Sequence, residues 1–180
     1  MNAELLSRQW IGLIICKSKI EKKFQLLDYC KNEYIIYNMN KIVIANSGHG
    51  KQGKSTSIKA LFKVLSDKYP DGIDIIKNHV DILATIRIGD ILVGIESQGD
   101  PNSRMVDSLT QLREKGCDII ICACRTTGAT LDKVKSLHTE YGYDLIFVSN
   151  PRTDNEKLHS LCNELYVETV MKIMSKLYKI

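Results

Sequence analysis

The amino-acid sequence predicts an α/β fold in which helices pack on both faces of a mostly parallel sheet. From residue 39 onward, short apolar runs alternate with segments whose apolar residues recur at helical spacing. That alternation is typical of strands joined by helices in a three-layer αβα arrangement. Because crossovers between parallel strands are right-handed, successive helices should cover both faces of the sheet.

The predicted strands are short runs of apolar and β-branched residues. We place them at residues 42–45, 73–77, 81–88, 91–97, 118–124 and 144–148. Residues 119–124 are apolar throughout, which indicates a central strand that is buried on both faces. Gly89-Asp90 joins two of the runs directly, as in a tight hairpin. The sheet should therefore contain one antiparallel hairpin, at about residues 81–97.

The predicted helices carry apolar residues three and four positions apart. The first follows the glycine-containing segment at 48–55 and ends near Tyr69, where a Pro-Asp-Gly turn follows. The second begins at Asp100-Pro101, an N-cap residue followed by proline at the first helical position, and Gly116 can close it. A third should run from about residue 131 to Gly142, and a fourth from about Asn155.

The first 38 residues differ from the rest of the chain. They contain apolar and basic segments without a clear period, and Met39 lies immediately before the first predicted strand. We therefore divide the chain into an N-terminal extension at 1–38 and a core domain at 39–180. The extension is either a docking helix or, if Met39 is the natural start, the product of upstream translation.

Composition and charge exclude several classes of protein. The net charge of +4 is small and scattered, so it gives no indication of a nucleic-acid partner. The longest apolar run near the N-terminus is too short to cross a bilayer. The six cysteines show no metal-binding or disulfide spacing, and Cys122 and Cys124 should be small core residues. Reduced thiols predict a cytoplasmic protein.

The segment Gly48–Ser55 matches the pattern G-x-x-x-x-G-K-S/T at every position. An apolar run precedes it and a helical pattern follows it, which is the setting in which this pattern binds phosphate. Glycines allow backbone N–H groups to point at phosphate oxygens, and the helix N-terminus adds partial positive charge. Lys54 supplies a full charge for the β- and γ-phosphates, and the Ser55 hydroxyl can bind Mg²⁺.

These residues resemble the Walker A motif of the P-loop NTPases, and the resemblance covers about residues 39–150. It implies a P-loop NTPase fold that binds a nucleoside triphosphate with Mg²⁺. It also implies a binding segment made of Gly48, His49, Gly50, Lys51, Gln52, Gly53, Lys54, Ser55 and Thr56. In such sheets, ligands bind beyond the carboxyl ends of the strands. The loops that should face the nucleotide are therefore 46–55, 96–100, 125–128 and 150–154.

Glu96 is the predicted catalytic carboxylate. It ends an apolar run, as in the Walker B element, and would hold Mg²⁺ through water or orient an attacking water. In most related architectures this strand runs beside the strand of the P-loop, and we expect the same here. Asp100 competes for the role from the same loop. Together with Ser55, Glu96 is the predicted metal site, and Lys54, Glu96 and Arg125 are the predicted catalytic residues.

Arg125 directly follows a predicted central strand, so it is well placed to offset charge at the γ-phosphate. Arg104, in the first turn of the predicted helix after Glu96, can equally be a residue that contacts phosphate or a solvated surface residue. Lys51 can add charge inside the loop, whereas His49 should only fill space, because the sequence shows no acidic partner for it.

ATP is the predicted nucleotide, and GTP is the less favoured alternative. The hairpin followed by Glu96-Ser97-Gln98-Gly99 resembles the D-x-x-G switch of small GTPases, with Glu in place of Asp. Guanine recognition in that family uses N-K-x-D. Here Asn150 is followed by Pro151 in the Lys position, and Asp154 lies one residue late.

Three functions agree with this sequence. The first, which we prefer, is an NTPase that hydrolyses or senses the γ-phosphate to switch a partner. The second is a small-molecule or nucleotide kinase, against which the absence of arginine between Thr126 and Tyr143 counts. The third is a GTP-binding switch or a non-hydrolysing nucleotide-binding regulator. The sequence does not identify a protein partner.

Overall fold

The computed structural model describes residues 41–180, so the predicted extension at 1–38 lies outside the described residues. The strands are β1 (Ile42–Ser47), β2 (Ile73–Asn78), β3 (Ile82–Ile88), β4 (Ile91–Glu96), β5 (Ile119–Cys124) and β6 (Asp144–Val148). The α-helices are α1 (Lys54–Lys68), α2 (Met105–Glu114), α3 (Ala129–Tyr141) and α4 (His159–Tyr178). Short 3₁₀ turns at Pro70–Gly72 and Glu156–Leu158 precede β2 and α4.

The strands form one sheet in the order β2-β3-β4-β5-β1-β6. Strands β4, β5, β1 and β6 are parallel to one another, whereas β3 is antiparallel to both β2 and β4. The predicted α/β class, the mostly parallel sheet and the β3–β4 hairpin are therefore confirmed. The antiparallel β2–β3 pair adds a second reversal that the sequence analysis did not anticipate.

Two apolar cores lie on opposite faces of the sheet and give the fold three layers. On one face, α1 and α4 bury residues such as Leu61 and Val170 against Ile44 of β1. On the other face, α2 and α3 bury Leu109 and Val134 among the alternate residues of the same strands. All six residues of β5 are buried, as expected for a central strand covered on both sides.

Two expectations about the neighbourhood of Glu96 are wrong. The strand that ends at Glu96 does not run beside β1, because β5 lies between β4 and β1. The second helix does not start at Asp100-Pro101 either, since α2 begins only at Met105. Asn102 adopts the left-handed conformation, with φ of 59°, and this breaks any helix that would run on from Pro101. Asp100 is therefore no helix cap.

Within residues 41–180, the helices are either too short or too polar to span a lipid bilayer.

Candidate functional site

The loop Gly48–Ser55 joins the carboxyl end of β1 to the N-terminus of α1. The ammonium group of Lys54 lies at its centre, where it donates to the carbonyl oxygens of Gly48 at 2.9 Å and His49 at 2.6 Å. Lys51 and Gly53 both take left-handed conformations, with φ of 60° and 71°, which turn the backbone around the lysine. The first N–H groups of α1 have no acceptor within the helix, so they are free to meet an anion here.

Lys54 is only 8% exposed, and its surroundings affect its charge. Burial lowers the pKa of Lys54 below its usual value of 10.5, and the nearby positive charge of Arg125 lowers it further. The carboxylate of Asp100 opposes both effects. The charges at the loop Gly48–Ser55 therefore interact with one another, and they belong to Lys54, Arg125 and Asp100.

Arg125 directly follows β5, and its guanidinium lies against the loop Gly48–Ser55 at Gly50. A Cβ atom added to Gly50 would come within 2.6 Å of a guanidinium nitrogen of Arg125, so a larger residue at position 50 would displace the guanidinium from this position. The other terminal nitrogen of the guanidinium donates to Asp100 at 2.6 Å. Because Thr130 also accepts from the backbone N–H of residue 125, the start of α3 fixes the arginine's backbone.

Asp100 lies in the connection between β4 and α2. Its side chain is 73% exposed, although it is paired with Arg125. It lines a small pocket of about 200 Å³, whose other lining residues are Lys51, Gln52, Gly53, Lys54, Ser55, Thr56 and Gly99. Most of the predicted binding segment therefore surrounds one polar pocket, with Asp100 as its carboxylate.

Glu96 is differently placed. Its side chain is fully buried and forms an ion pair with Arg104, whose Nε and Nη2 donate to the two carboxylate oxygens, each at 3.2 Å. The N–H of Gln98 donates to the same carboxylate at 2.8 Å. Burial raises the pKa of Glu96, and hydrogen bonds and the charge of Arg104 partly oppose that rise. Glu96 is not among the residues that line the small pocket.

A larger pocket of about 600 Å³ adjoins the small one and shares Lys51, Gln52, Gly53 and Thr56 with it. Its remaining lining comes from the β6–α4 connection and the start of α4, namely Asn150, Pro151, Arg152, Thr153, Asp154, His159, Cys162 and Asn163. The predicted loop 150–154 is thus brought to the same site as the loop 48–55.

A cluster of polar side chains is hydrogen-bonded to the loop Gly48–Ser55 and to the first turn of α1. The sequence analysis did not single this cluster out. Asn150 accepts a hydrogen bond from Asn46 at 2.8 Å and donates to Ser57 at 2.6 Å and to the carbonyl of Gln52 at 3.3 Å. Ser57 in turn donates to Asn163 at 2.7 Å. The cluster therefore joins β1, α1, α4 and the loop. An asparagine in the apolar run of β1 was the signal that could have revealed it.

The residues of the small pocket fit a magnesium ion that arrives with a phosphate ligand. Among residues 41–180, no three or more His, Cys, Asp or Glu side chains are grouped as a metal site. Mg²⁺ in nucleotide sites, however, is held by one or two protein oxygens, phosphate oxygens and water. Ser55 and Asp100 line the pocket and supply a hydroxyl and a carboxylate, which are ligands of that kind.

Comparison with protein-family models, with curated proteins and with solved structures found no match for this chain.

Proposed function

We propose that the chain binds a nucleoside triphosphate with Mg²⁺ at the loop Gly48–Ser55 and hydrolyses or senses its γ-phosphate. The observation that carries the proposal is the position of Lys54. Its charge lies inside a turn of left-handed backbone, at the head of α1 and beside a polar pocket. Such an arrangement of backbone N–H groups, helix N-terminus and ammonium group suits a polyphosphate.

The two adjoining pockets suit the two parts of a nucleotide. The small pocket borders Lys54 and Ser55, so it is the place for the β- and γ-phosphates. The larger pocket shares the loop residues Lys51, Gln52 and Gly53 and has the volume for a ribose and a base. ATP remains the preferred nucleotide, because the residues that follow Asn150 depart from the guanine-recognition pattern.

The chain's own residues have separate tasks in this proposal. Lys54 offsets the negative charge of the β- and γ-phosphates, and backbone N–H groups of the loop orient them. Arg125 lies next to Gly50, where it can meet charge that develops on the γ-phosphate. Ser55 and Asp100 would hold Mg²⁺, which when bound would neutralise part of the negative charge of the phosphates.

A short connection between β5 and α3 favours a hydrolase or a sensor over a kinase. The two elements are separated only by residues 125–128, so this region contains no insertion that could fold over an acceptor. A kinase that works at this site would need to close over its acceptor with another part of the chain.

Phosphate release tests the proposal. The purified protein should release phosphate from Mg·ATP in a single turnover, with Mg·GTP as the comparison nucleotide. Lys54→Ala should reduce release by about a hundredfold or more, the scale of losing a charge stabiliser. Lys63→Ala is the matched control, because Lys63 is exposed on the same helix and away from the pocket.

Equal rates in Lys54→Ala and Lys63→Ala would refute the assignment of the site. If neither ATP nor GTP is hydrolysed but both bind in a Lys54-dependent manner, the sensing form of the proposal stands and the hydrolase form fails.

A further inference from the structure

We infer that the Asp100 carboxylate pairs with Arg125 until the terminal phosphate of a bound nucleotide displaces it from the guanidinium. The freed Asp100 carboxylate then interacts with the hydrated Mg²⁺. This inference rests on the proposed function and specifies how nucleotide and cation depend on each other at the same site. It assigns to Asp100 the role that the sequence predicted for Glu96.

The first step is the position of the ion pair. Arg125 lies between the loop, at Gly50, and Asp100, to which it donates at 2.6 Å. The carboxylate of Asp100, which lines the small pocket, therefore already occupies one end of a guanidinium whose other end lies against the loop at Gly50. Carboxylate and phosphate oxygens accept from the same in-plane N–H groups of a guanidinium, so a phosphate that takes the Nη2 group of Arg125 displaces Asp100 from it.

The second step is that Glu96 is engaged elsewhere. Both of its oxygens accept from Arg104, and one of them also accepts from the N–H of Gln98. A carboxylate that is fully buried in such a pair cannot turn to a cation without leaving Arg104. Glu96 instead anchors the start of the loop 96–100, while Asp100, at its end, reaches the pocket.

The third step is the packing that fixes Asp100 near the pocket. Gly99 lies directly against the end of β5, where an added Cβ would be 2.6 Å from the Cβ of Ala123 and 2.8 Å from its carbonyl. Only glycine allows the loop 96–100 to come this close. Because Asp100 and Arg125 follow these two touching segments, their pairing is a consequence of the backbone and not of flexible side chains alone.

The exchange of partners should be easy. The Asp100 side chain is 73% exposed and that of Arg125 is 27% exposed, so water screens the pair. Exposed pairs of this kind change an equilibrium by about fivefold at most. A γ-phosphate with a higher negative charge can therefore replace Asp100. The freed carboxylate then repels the phosphates unless a cation lies between them, so Mg²⁺ and triphosphate should bind cooperatively.

The test is calorimetric titration of the full chain with a non-hydrolysable ATP analogue, in EDTA and in Mg²⁺. In the wild type, Mg²⁺ should strengthen binding. Asp100→Asn should bind about two- to fivefold more tightly than the wild type in EDTA, because it frees Arg125 and removes the repulsion. In the same variant, the ratio of the affinity in Mg²⁺ to the affinity in EDTA should be about fivefold or more smaller than in the wild type.

Two further variants complete the design. Glu96→Gln should keep the strengthening by Mg²⁺ within about twofold, since its carboxylate faces Arg104 and not the pocket. Asp67→Asn, which removes an exposed carboxylate at the far end of α1, controls for the change in net charge and should match the wild type in both titrations.

The outcomes separate this inference from the proposed function. If the wild type binds no nucleotide, the proposed function fails and the inference fails with it. If the wild type binds but Asp100→Asn behaves like Asp67→Asn, only the inference is overturned. If Glu96→Gln loses the effect of Mg²⁺ while Asp100→Asn retains it, Glu96 is the metal-side carboxylate after all.

Discussion

Arg104→Met should cost the fold more than Glu96→Gln, and the second change should partly rescue the first. Arg104→Met leaves the carboxylate of Glu96 fully buried, with the N–H of Gln98 still donating to it at 2.8 Å. Removing one partner of a buried pair costs about 3–5 kcal/mol. Because a quarter of the Arg104 side chain is exposed, we expect a smaller cost than that range, about 2–3 kcal/mol.

Glu96→Gln should reduce the free energy of unfolding less, because the partner that remains, Arg104, can reach water. The Gln oxygen still accepts a hydrogen bond, and Arg104 also donates to the carbonyl of Asp81 at 3.1 Å. We expect a loss of about 1 kcal/mol. The double variant buries no charge, so it should be more stable than Arg104→Met alone by about 1 kcal/mol or more.

The cost of Arg104→Met should also depend on pH. Burial already raises the pKa of Glu96 above 4.5, and loss of Arg104 removes a positive charge and a hydrogen bond that lower this pKa. A group whose pKa is higher in the folded state binds more protons there, so stability is greatest below the unfolded pKa and falls as pH rises through the folded pKa. The difference in free energy of unfolding between Arg104→Met and wild type should therefore be smaller near pH 4.5 than at pH 7.5.

Urea unfolding of the four proteins at both pH values measures these quantities. Additive losses in the double variant, or a cost of Arg104→Met that does not grow with pH, would refute the view that Arg104 serves a buried charge. The same result would weaken the argument that Glu96 is unavailable to a metal.

Two further predictions follow from the loop and its support. Ser57→Ala removes the hydroxyl that joins Asn150 to Asn163, so unfolding free energy should fall by about 1–3 kcal/mol, measured in urea, and nucleotide affinity should fall with it; an unchanged midpoint would show that the cluster does not support the loop. A chain that starts at Met39 should fold and bind nucleotide like the full chain, because the four loops of the site all lie after residue 39; an insoluble or non-binding product in parallel titrations would contradict the domain boundary that we predict.

Local patterns in the sequence were sufficient for much of the fold. The apolar run of β5 correctly indicated a two-sided central strand, and Gly89-Asp90 correctly indicated the β3–β4 hairpin. The order of strands across the sheet was not accessible in this way. The order depends on how the crossover connections arrange the strands. We had expected β4 to lie beside β1, but β5 lies between them.

The site was harder to predict because it depends on contacts between distant residues. The segment Gly48–Ser55 was readable as a continuous motif. The Glu96 carboxylate is held by Arg104, which lies eight positions further along the chain, immediately before α2. The Asn46–Asn150 hydrogen bond joins residues 104 positions apart, so no local pattern contains it.

The helical pattern of α4 shows the same limit. Leu161 and Leu165 lie four positions apart, yet each is more than 40% exposed, and the helix buries Tyr166, Val170 and Met174 instead. Period alone identified the helix but not the face that packs on the sheet.

The central claim is that the loop Gly48–Ser55 binds a triphosphate, and backbone amide NMR tests it most directly. Titration with a non-hydrolysable ATP analogue and Mg²⁺ should shift the amide resonances of Gly50, Gly53 and Ser55 strongly, because their N–H groups lie at the phosphate site. The same titration of Lys54→Ala should shift them much less at equal concentration. Resonances that move only outside residues 48–56, or that do not move at all, would contradict the account.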